Sequence, residues 1–267
     1  MASNRSALEQ VKRATVALAV MHDQGRPTPL GEQPFTILGS GLCVHPRGII
    51  LTCAHVIEAF MEKNIKQQLE SIPPEERDKG MQSIPEARTL VPHALFYTSR
   101  PQQDQIVVVA ARVEFIVAQT NMDLGGLRLA AHSSFSNGYP VMEFEDFGNV
   151  HDGMELATCG FPMGNRLFSQ LGTVSSSFTR GILSSIIPAA GTSRPHVTGF
   201  QLDLRATHGN SGGPVFSWDS GKVLGVLQGG VTDQYGNFLF SHAESVYRLL
   251  DAGLIDTLLT ADWALNT

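Results

Sequence analysis

Gly209-Asn210-Ser211-Gly212-Gly213-Pro214 sets one hydroxyl between glycines, directly before the apolar pair Val215-Phe216. A serine hydroxyl is a poor nucleophile at neutral pH unless a base lies within hydrogen-bond reach. Acyl transfer also needs N–H donors aimed at the oxygen that becomes negative. Glycines permit a turn tight enough to direct the N–H groups of Gly209 and Ser211 at one point. Taken alone, the hexapeptide reads equally well as a glycine-rich hairpin loop. Upstream, however, His55 follows the apolar run Gly48-Ile49-Ile50-Leu51-Thr52-Cys53, and Asp123 opens Asp123-Leu124-Gly125-Gly126-Leu127-Arg128-Leu129. A neutral imidazole can take the hydroxyl proton, while a carboxylate fixes its tautomer and stabilises the imidazolium. The order His55, Asp123, Ser211 suits that chemistry.

Strands are needed to hold such residues. Gly39 to Val44 and Gly48 to Cys53 read as two apolar strands around a His45-Pro46-Arg47-Gly48 turn. Val107 to Val109 and Val113 to Val117 are β-branched runs that favour the same conformation. Each candidate then falls at a strand end or in the loop beside it. Ala7 to Arg13 reads as a short helix feeding the strand Ala14 to Val20. Gln24 to Pro29 is turn material. Glu58 to Ser71 has helical composition, and the proline-rich stretch Ile72 to Gly80 breaks it into an exposed insertion. Leu129 to Glu155 is loop-rich and polar. Between Glu244 and Leu259, Val246, Leu249, Leu250, Leu254 and Leu258 recur at helical spacing. That spacing predicts one terminal helix packed on the second half of the chain.

Thr52-Cys53-Ala54-His55-Val56-Ile57 resembles the segment around the histidine of trypsin-like serine proteases. Asp123-Leu124-Gly125-Gly126-Leu127-Arg128, Gly160-Phe161-Pro162-Met163-Gly164 and Gly221-Lys222-Val223-Leu224-Gly225-Val226 are similar to stretches of their HtrA/Deg-like branch. Gln201-Leu202-Asp203, followed by the Ser211 hexapeptide, is similar to another. The similarity runs from about Ala14 to Leu250. It implies an all-β fold of two six-stranded antiparallel barrels with short terminal helices. The boundaries fall near 14–130 for the first barrel, 131–155 for a connection, 156–242 for the second barrel and 243–262 for a helix. It also implies a pocket for the side chain before the scissile bond. Arg205 and Ala206 would lie near its base, His208 at its rim, and Leu227-Gln228-Gly229 along a wall. No acid stands among these residues, so cleavage after Lys or Arg is not expected.

Departures from the family are informative. No I-V-G-G amino terminus of the secreted trypsins is present, and Asn210 stands where their aspartate pairs with it; the HtrA/Deg-like branch shares both features. Gly125-Gly126 is smaller than the residues expected there. Only 56 residues follow Ser211, enough to complete a second barrel and one helix but no PDZ module.

Composition narrows the function classes. A net charge of −6 offers no basic stripe for nucleic acid. No apolar run reaches the ~18 residues of a membrane span. The polar start Met1 to Gln10 lacks the apolar core of a secretion signal. Cys43, Cys53 and Cys159 are too few and scattered for a disulfide framework, which favours a reducing, cytoplasmic setting.

Two other sites compete. Gly209-x-Ser211-x-Gly213 also fits the nucleophile elbow of α/β-hydrolases, but that fold wants a helix after the serine and the histidine last in the chain. Cys43-x-His45 and Cys53-x-His55 supply four zinc-type ligands, at a spacing that fits none of the familiar patterns. The expectation is therefore a serine endopeptidase. Ser211 is its nucleophile, His55 its base, Asp123 the orienter, and the N–H groups of Gly209 and Ser211 its oxyanion hole. It requires no metal or cofactor and acts on a protein or peptide, with a regulatory partner or homo-oligomer left open. The alternative is a protease-fold binding or regulatory module, inactive until a ligand or partner orders its oxyanion loop. The Gly/Pro-rich segment Ile187 to Pro195 is the candidate mobile element.

Overall fold

The computed structural model describes residues 2–21, 34–71, 92–100, 105–166, 175–188, 197–251 and 253–260. Helix α1 (Ala2–Ala14) carries Lys12 and Arg13 in its last turn, where the helix dipole favours cations. It feeds β1 (Thr15–Met21), whose first six residues are all buried. Strands β2 (Phe35–His45) and β3 (Ile49–Thr52) flank a turn in which Gly48 adopts φ +79°. Helix α2 (Ala54–Ser71) follows, then β4 (Pro92–Arg100), β5 (Gln105–Gln119) and β6 (Leu124–Leu129). These six strands close a barrel in the order β1-β2-β3-β6-β5-β4.

After a connection that carries only short 3₁₀ turns among helices, the second barrel begins. It comprises β7 (Glu155–Gly160), β8 (Ser177–Pro188), β9 (Val197–Asp203), β10 (Pro214–Ser217), β11 (Val223–Thr232) and β12 (Phe238–Ser245). Its closed order is β10-β11-β12-β9-β8-β7. The fold is thus the expected pair of six-stranded antiparallel barrels, the chymotrypsin-like architecture. The turn segment 24–29 and the insertion 72–80 lie outside the described residues, as do all but the first two residues of the segment 187–195.

The carboxy-terminal part differs from the expected single helix on the second barrel. Strand β12 extends to Ser245, and two helices follow: α3 (Val246–Asp251) and α4 (Leu254–Thr260). Gly253, at φ +63°, separates them, a backbone state that a side chain disfavours. Helix α4 crosses back to the first barrel. A Cβ on Gly126 would lie 2.4 Å from Leu258 Cδ1, and Arg128 Nη1 donates to the Leu258 carbonyl at 3.2 Å. Helical spacing marks an apolar face without saying which surface it covers. The small Gly125-Gly126 pair supplies that surface: Ile57 fills the space over Gly125, and Leu254 and Leu258 the space over Gly126.

Leu258 is fully buried at this junction. Leu258→Ala should therefore destabilise the chain by about 2–5 kcal/mol, the usual range for a buried leucine. Urea denaturation measures this, and a loss under half a kilocalorie would show that α4 does not hold β6.

Candidate active site

Strand register brings His55 and Asp123 together. Thr52 pairs with Gly125 across β3 and β6, so the chain after β3 and the chain before β6 emerge side by side. His55 sits in the first turn of α2, where the strand-and-loop expectation had not placed a helix. The first N–H groups of a helix lack partners within it. One of them, from His55, donates to Asp123 Oδ1 at 3.0 Å, while His55 Nδ1 lies 2.8 Å from Oδ2 and 3.0 Å from Oδ1. Asp123 follows a 3₁₀ turn (Thr120–Met122) and takes the left-handed conformation at φ +48°, which aspartate tolerates better than most residues. Gln228 Nε2 ties this turn to the second barrel by donating to the Met122 carbonyl at 2.9 Å.

Burial would raise the Asp123 carboxyl. The hydrogen bonds from the His55 ring and backbone outweigh it and hold the group below its ordinary value. Its ionised form thus stabilises the fold at neutral pH, and that contribution disappears only as the pH falls through the lowered value. Behind it stand further titratable groups. Burial depresses His242 and pushes the Cys53 thiol well up.

Ser211 stands at the opposite wall, after Asn210 and before the strand β10. Its Oγ donates to the Gln228 carbonyl at 3.0 Å, and among the described residues no hydrogen bond joins it to His55. The two N–H groups expected to line an oxyanion hole, those of Gly209 and Ser211, donate to no protein acceptor among the described residues. The peptide between His208 and Gly209 has a fixed orientation, because the His208 carbonyl accepts from Met163 N–H at 2.8 Å. A planar trans peptide then turns the Gly209 N–H the opposite way. Gly209 has φ +98°, and a Cβ there would lie 2.3 Å from the Phe161 carbonyl, so only glycine fits. Asn210 is 3% exposed and its Oδ1 has no hydrogen-bond partner among the described residues. A neutral amide bears that at about 1–3 kcal/mol. An unpaired carboxylate there would cost far more.

Sequence reading missed Ser40. This buried residue of β2 donates from its N–H to the Ser211 carbonyl at 2.8 Å and from its Oγ to the Gly209 carbonyl at 2.6 Å. Its Oγ also accepts from Phe161 N–H at 3.1 Å. Nothing local in Gly39-Ser40-Gly41 signals this, since the partners lie in the other barrel. Met163 was also missed; its φ of +51° within the Gly160 to Gly164 loop aims the N–H at His208.

Of the expected pocket residues, Arg205 and His208 are exposed, Ala206, Gln228 and Gly229 half-buried. Leu227 lies wholly inside the second barrel's core, and its carbonyl accepts from Gly212 N–H and from Cys53 Sγ. A side chain at Gly229 would stand in open space. One at Gly230 would meet the Phe238 ring at 3.2 Å and the Ala206 carbonyl at 3.5 Å, which puts Phe238 beside the expected pocket residues.

The four-ligand set Cys43, His45, Cys53, His55 is not assembled: the Cys43 thiol turns to the His45 carbonyl. Among the described residues, the donor atoms that do converge belong to Cys53, His55 and Asp123.

Two closed barrels with a histidine–aspartate pair facing a serine loop define a chymotrypsin-like peptidase scaffold. A family model for the trypsin-like peptidase domain matches residues 39–226, and the chain belongs to that family. Solved structures of the same fold include the HtrA-type protease AlgW with decapeptide, 17% identical at a TM-score of 0.58. That match covers 96% of this chain and 68% of the AlgW chain. AlgW with tripeptide is 15% identical at a TM-score of 0.58, with 97% and 64% covered. The chain thus spans about two thirds of the length of these solved chains. No curated protein is significantly similar to it in sequence.

Glu244, on β12, is 8% exposed. Burial pushes its carboxyl up from 4.5 to about 6, opposed by the Arg248 guanidinium at 2.6 Å. The folded chain therefore binds this proton more tightly than the unfolded chain does. The group's contribution to stability is complete below 4.5 and falls as the pH rises through about 6. Glu244→Gln should abolish that fall and gain roughly 2 kcal/mol over wild type in mildly alkaline buffer. Urea titrations across the pH range would read this as parallel wild-type and variant curves if burial of Glu244 costs nothing.

Proposed function

We propose that the chain is a serine endopeptidase that cleaves peptide bonds through an acyl-enzyme. The observation that carries this reading is the Asp123 carboxylate holding His55 through both ring and backbone, together with a serine loop whose Gly209 and Ser211 N–H groups donate to no acceptor among the described residues. In the reaction His55 Nδ1 keeps its proton on Asp123, which leaves Nε2 as the base for Ser211. The hydroxyl turns from Gln228 toward His55 by rotation about its Cα–Cβ bond and attacks the scissile carbonyl. The N–H groups of Gly209 and Ser211 then receive the oxyanion. His55 returns the proton to the leaving amine, and water resolves the acyl-enzyme by the same steps.

The Ser211–Gln228 bond also favours a second reading, a protein that rests with its nucleophile turned away until a ligand releases it. The free buried thiols of Cys43, Cys53 and Cys159 support a reducing, cytoplasmic location. The peptides in the AlgW structures support a peptide or protein ligand here.

A fluorophosphonate should label wild type at Ser211, and Ser211→Ala should lose both labelling and hydrolysis of an unfolded protein while remaining folded. Asp123→Asn should lower turnover by about four orders of magnitude, because the imidazole would hold the wrong tautomer. Chelators alone should leave the rate unchanged. Hydrolysis by Ser211→Ala at the wild-type rate would end this reading.

Specificity follows from the exposed Arg205 and the nearness of Phe238 to Gly230. An arginine with its head in water does not anchor an acidic side chain. On this reading, Ala206, Gly230 and Phe238 form an apolar surface that suits medium aliphatic side chains. In a peptide-library digest, Arg205→Glu should leave this preference intact, and Phe238→Ala should extend it to phenylalanine and tyrosine. Dominant cleavage after Lys, Arg, Asp or Glu would contradict it.

A further inference from the structure

We propose that Cys53, His55 and Asp123 form a binding site for a soft divalent cation such as Zn²⁺, and that its occupation switches the protein off. The donor atoms of the three side chains all lie within 4.8 Å of one another. Atoms bound to one tetrahedral zinc stand roughly 3.3–3.6 Å apart, given bond lengths of about 2.0–2.3 Å. Closing a 4.8 Å separation to that range takes a relative shift of about 1.2–1.5 Å, shared between two side chains that can rotate.

Charge and access both suit a dication. The His55 and Asp123 side chains are 45% and 32% exposed, so an ion can enter from the cleft. Cys53 is fully buried behind them, its Sγ donating to the Leu227 carbonyl at 3.1 Å. Burial there disfavours a bare thiolate. A dication beside the sulfur removes that penalty: one thiolate, one carboxylate and a neutral imidazole make a site of zero net charge. Thiolate and imidazole select Zn²⁺ or Cd²⁺ over Mg²⁺ and Ca²⁺. A water from the cleft completes four ligands.

On binding, the Cys53 S–H bond breaks, its proton passes to solvent and a sulfur–metal bond forms. His55 offers the Nδ1 lone pair, so its ring proton moves to Nε2. That nitrogen is the one which, on the proposed function, must accept the Ser211 proton. Asp123 turns from the imidazole to the metal. The same ion therefore blocks the base and removes its orienter, with no contact to Ser211.

The test uses the whole chain, reduced with a non-thiol reagent, and titrates it with Cd²⁺ while recording the ultraviolet thiolate-to-metal charge-transfer band. Wild type and Cys43→Ala should each show the band saturating at one ion per chain, and Cys53→Ala should not. Should Cys53→Ala fail to fold, Cys53→Ser keeps a donor for the Leu227 carbonyl and still lacks the soft ligand. In parallel, Zn²⁺ should suppress peptide hydrolysis, with recovery on adding a chelator. Relative to its own metal-free rate, the Cys53 variant should need at least about tenfold more Zn²⁺ for half inhibition. No band in wild type, a band that survives loss of Cys53, or equal zinc sensitivity in both proteins would overturn the site. The inhibition arm rests on the proposed function. If the protein hydrolyses nothing, that function fails, while the Cd²⁺ band still decides the metal site.

Discussion

The loop that carries Ser211 takes its shape from Ser40, a buried residue of the other barrel. Its N–H and Oγ capture the carbonyls of Ser211 and Gly209, its Oγ receives Phe161 N–H, and its own carbonyl receives Thr52 Oγ1 at 2.8 Å. A buried polar network of this kind rigidifies only when every member is satisfied, and these bonds use both hydrogens and two oxygen acceptors of Ser40. The consequence is directional. The Gly209 and Ser211 carbonyls drawn to the first barrel set the Asn210 and Gly212 N–H groups, while the His208 carbonyl held by Met163 and the Asn210 carbonyl held by Gly213 N–H set those of Gly209 and Ser211. The cost is close backbone approach. A Cβ on Gly212 would lie 2.2 Å from the Ser40 carbonyl, so the glycine there is a steric requirement.

The same logic of shared backbone groups builds the other half of the site. Asp123 accepts an N–H that α2 cannot use itself, so the carboxylate serves as a cap for that helix while it orients the His55 ring. The helix dipole favours a negative charge at this end, which works with the imidazole against the cost of partial burial. On β12, His242 and Glu244 are two residues apart and so share a strand face. Asp123 acts electrostatically on both, and raises Glu244 further. Asp123 is thus coupled electrostatically to β12 as well as held by His55.

Much of this was legible in the sequence, and the reasons differ by residue. Apolar and β-branched runs marked the strands, and the glycines around Ser211 marked a tight turn. His55 and Asp123 were readable because antiparallel pairing of the apolar runs beside them forces their ends together. Ser40 was not readable, because its partners are more than a hundred residues away and a serine in a strand carries no local pattern. The packing of α4 was half readable: the leucine spacing gave the face, but only the glycine pair of β6 identifies the surface it covers. Cys53 was legible only as one of three scattered thiols or as a ligand with Cys43, His45 and His55. Its sulfur lies instead beside the His55–Asp123 pair because β3 ends where α2 begins, and no spacing rule encodes that.

The orientation of the Ser211 hydroxyl belongs to another category. The Gly209 and Ser211 carbonyls are fixed by hydrogen bonds from Ser40 of the other barrel and the neighbouring backbone groups by bonds within the second barrel, whereas Oγ depends on one torsion. A neutral hydrogen bond to Gln228 contributes about 0.5–1.5 kcal/mol net, comparable to the spacing between side-chain rotamers. Such a balance leaves no trace in composition or periodicity, and a ligand can reverse it with a single competing contact. A group that binds the Gln228 carbonyl takes the hydroxyl's hydrogen-bond partner. The scaffold thus leaves to the Ser211 side chain the one rotation that the proposed acyl transfer needs.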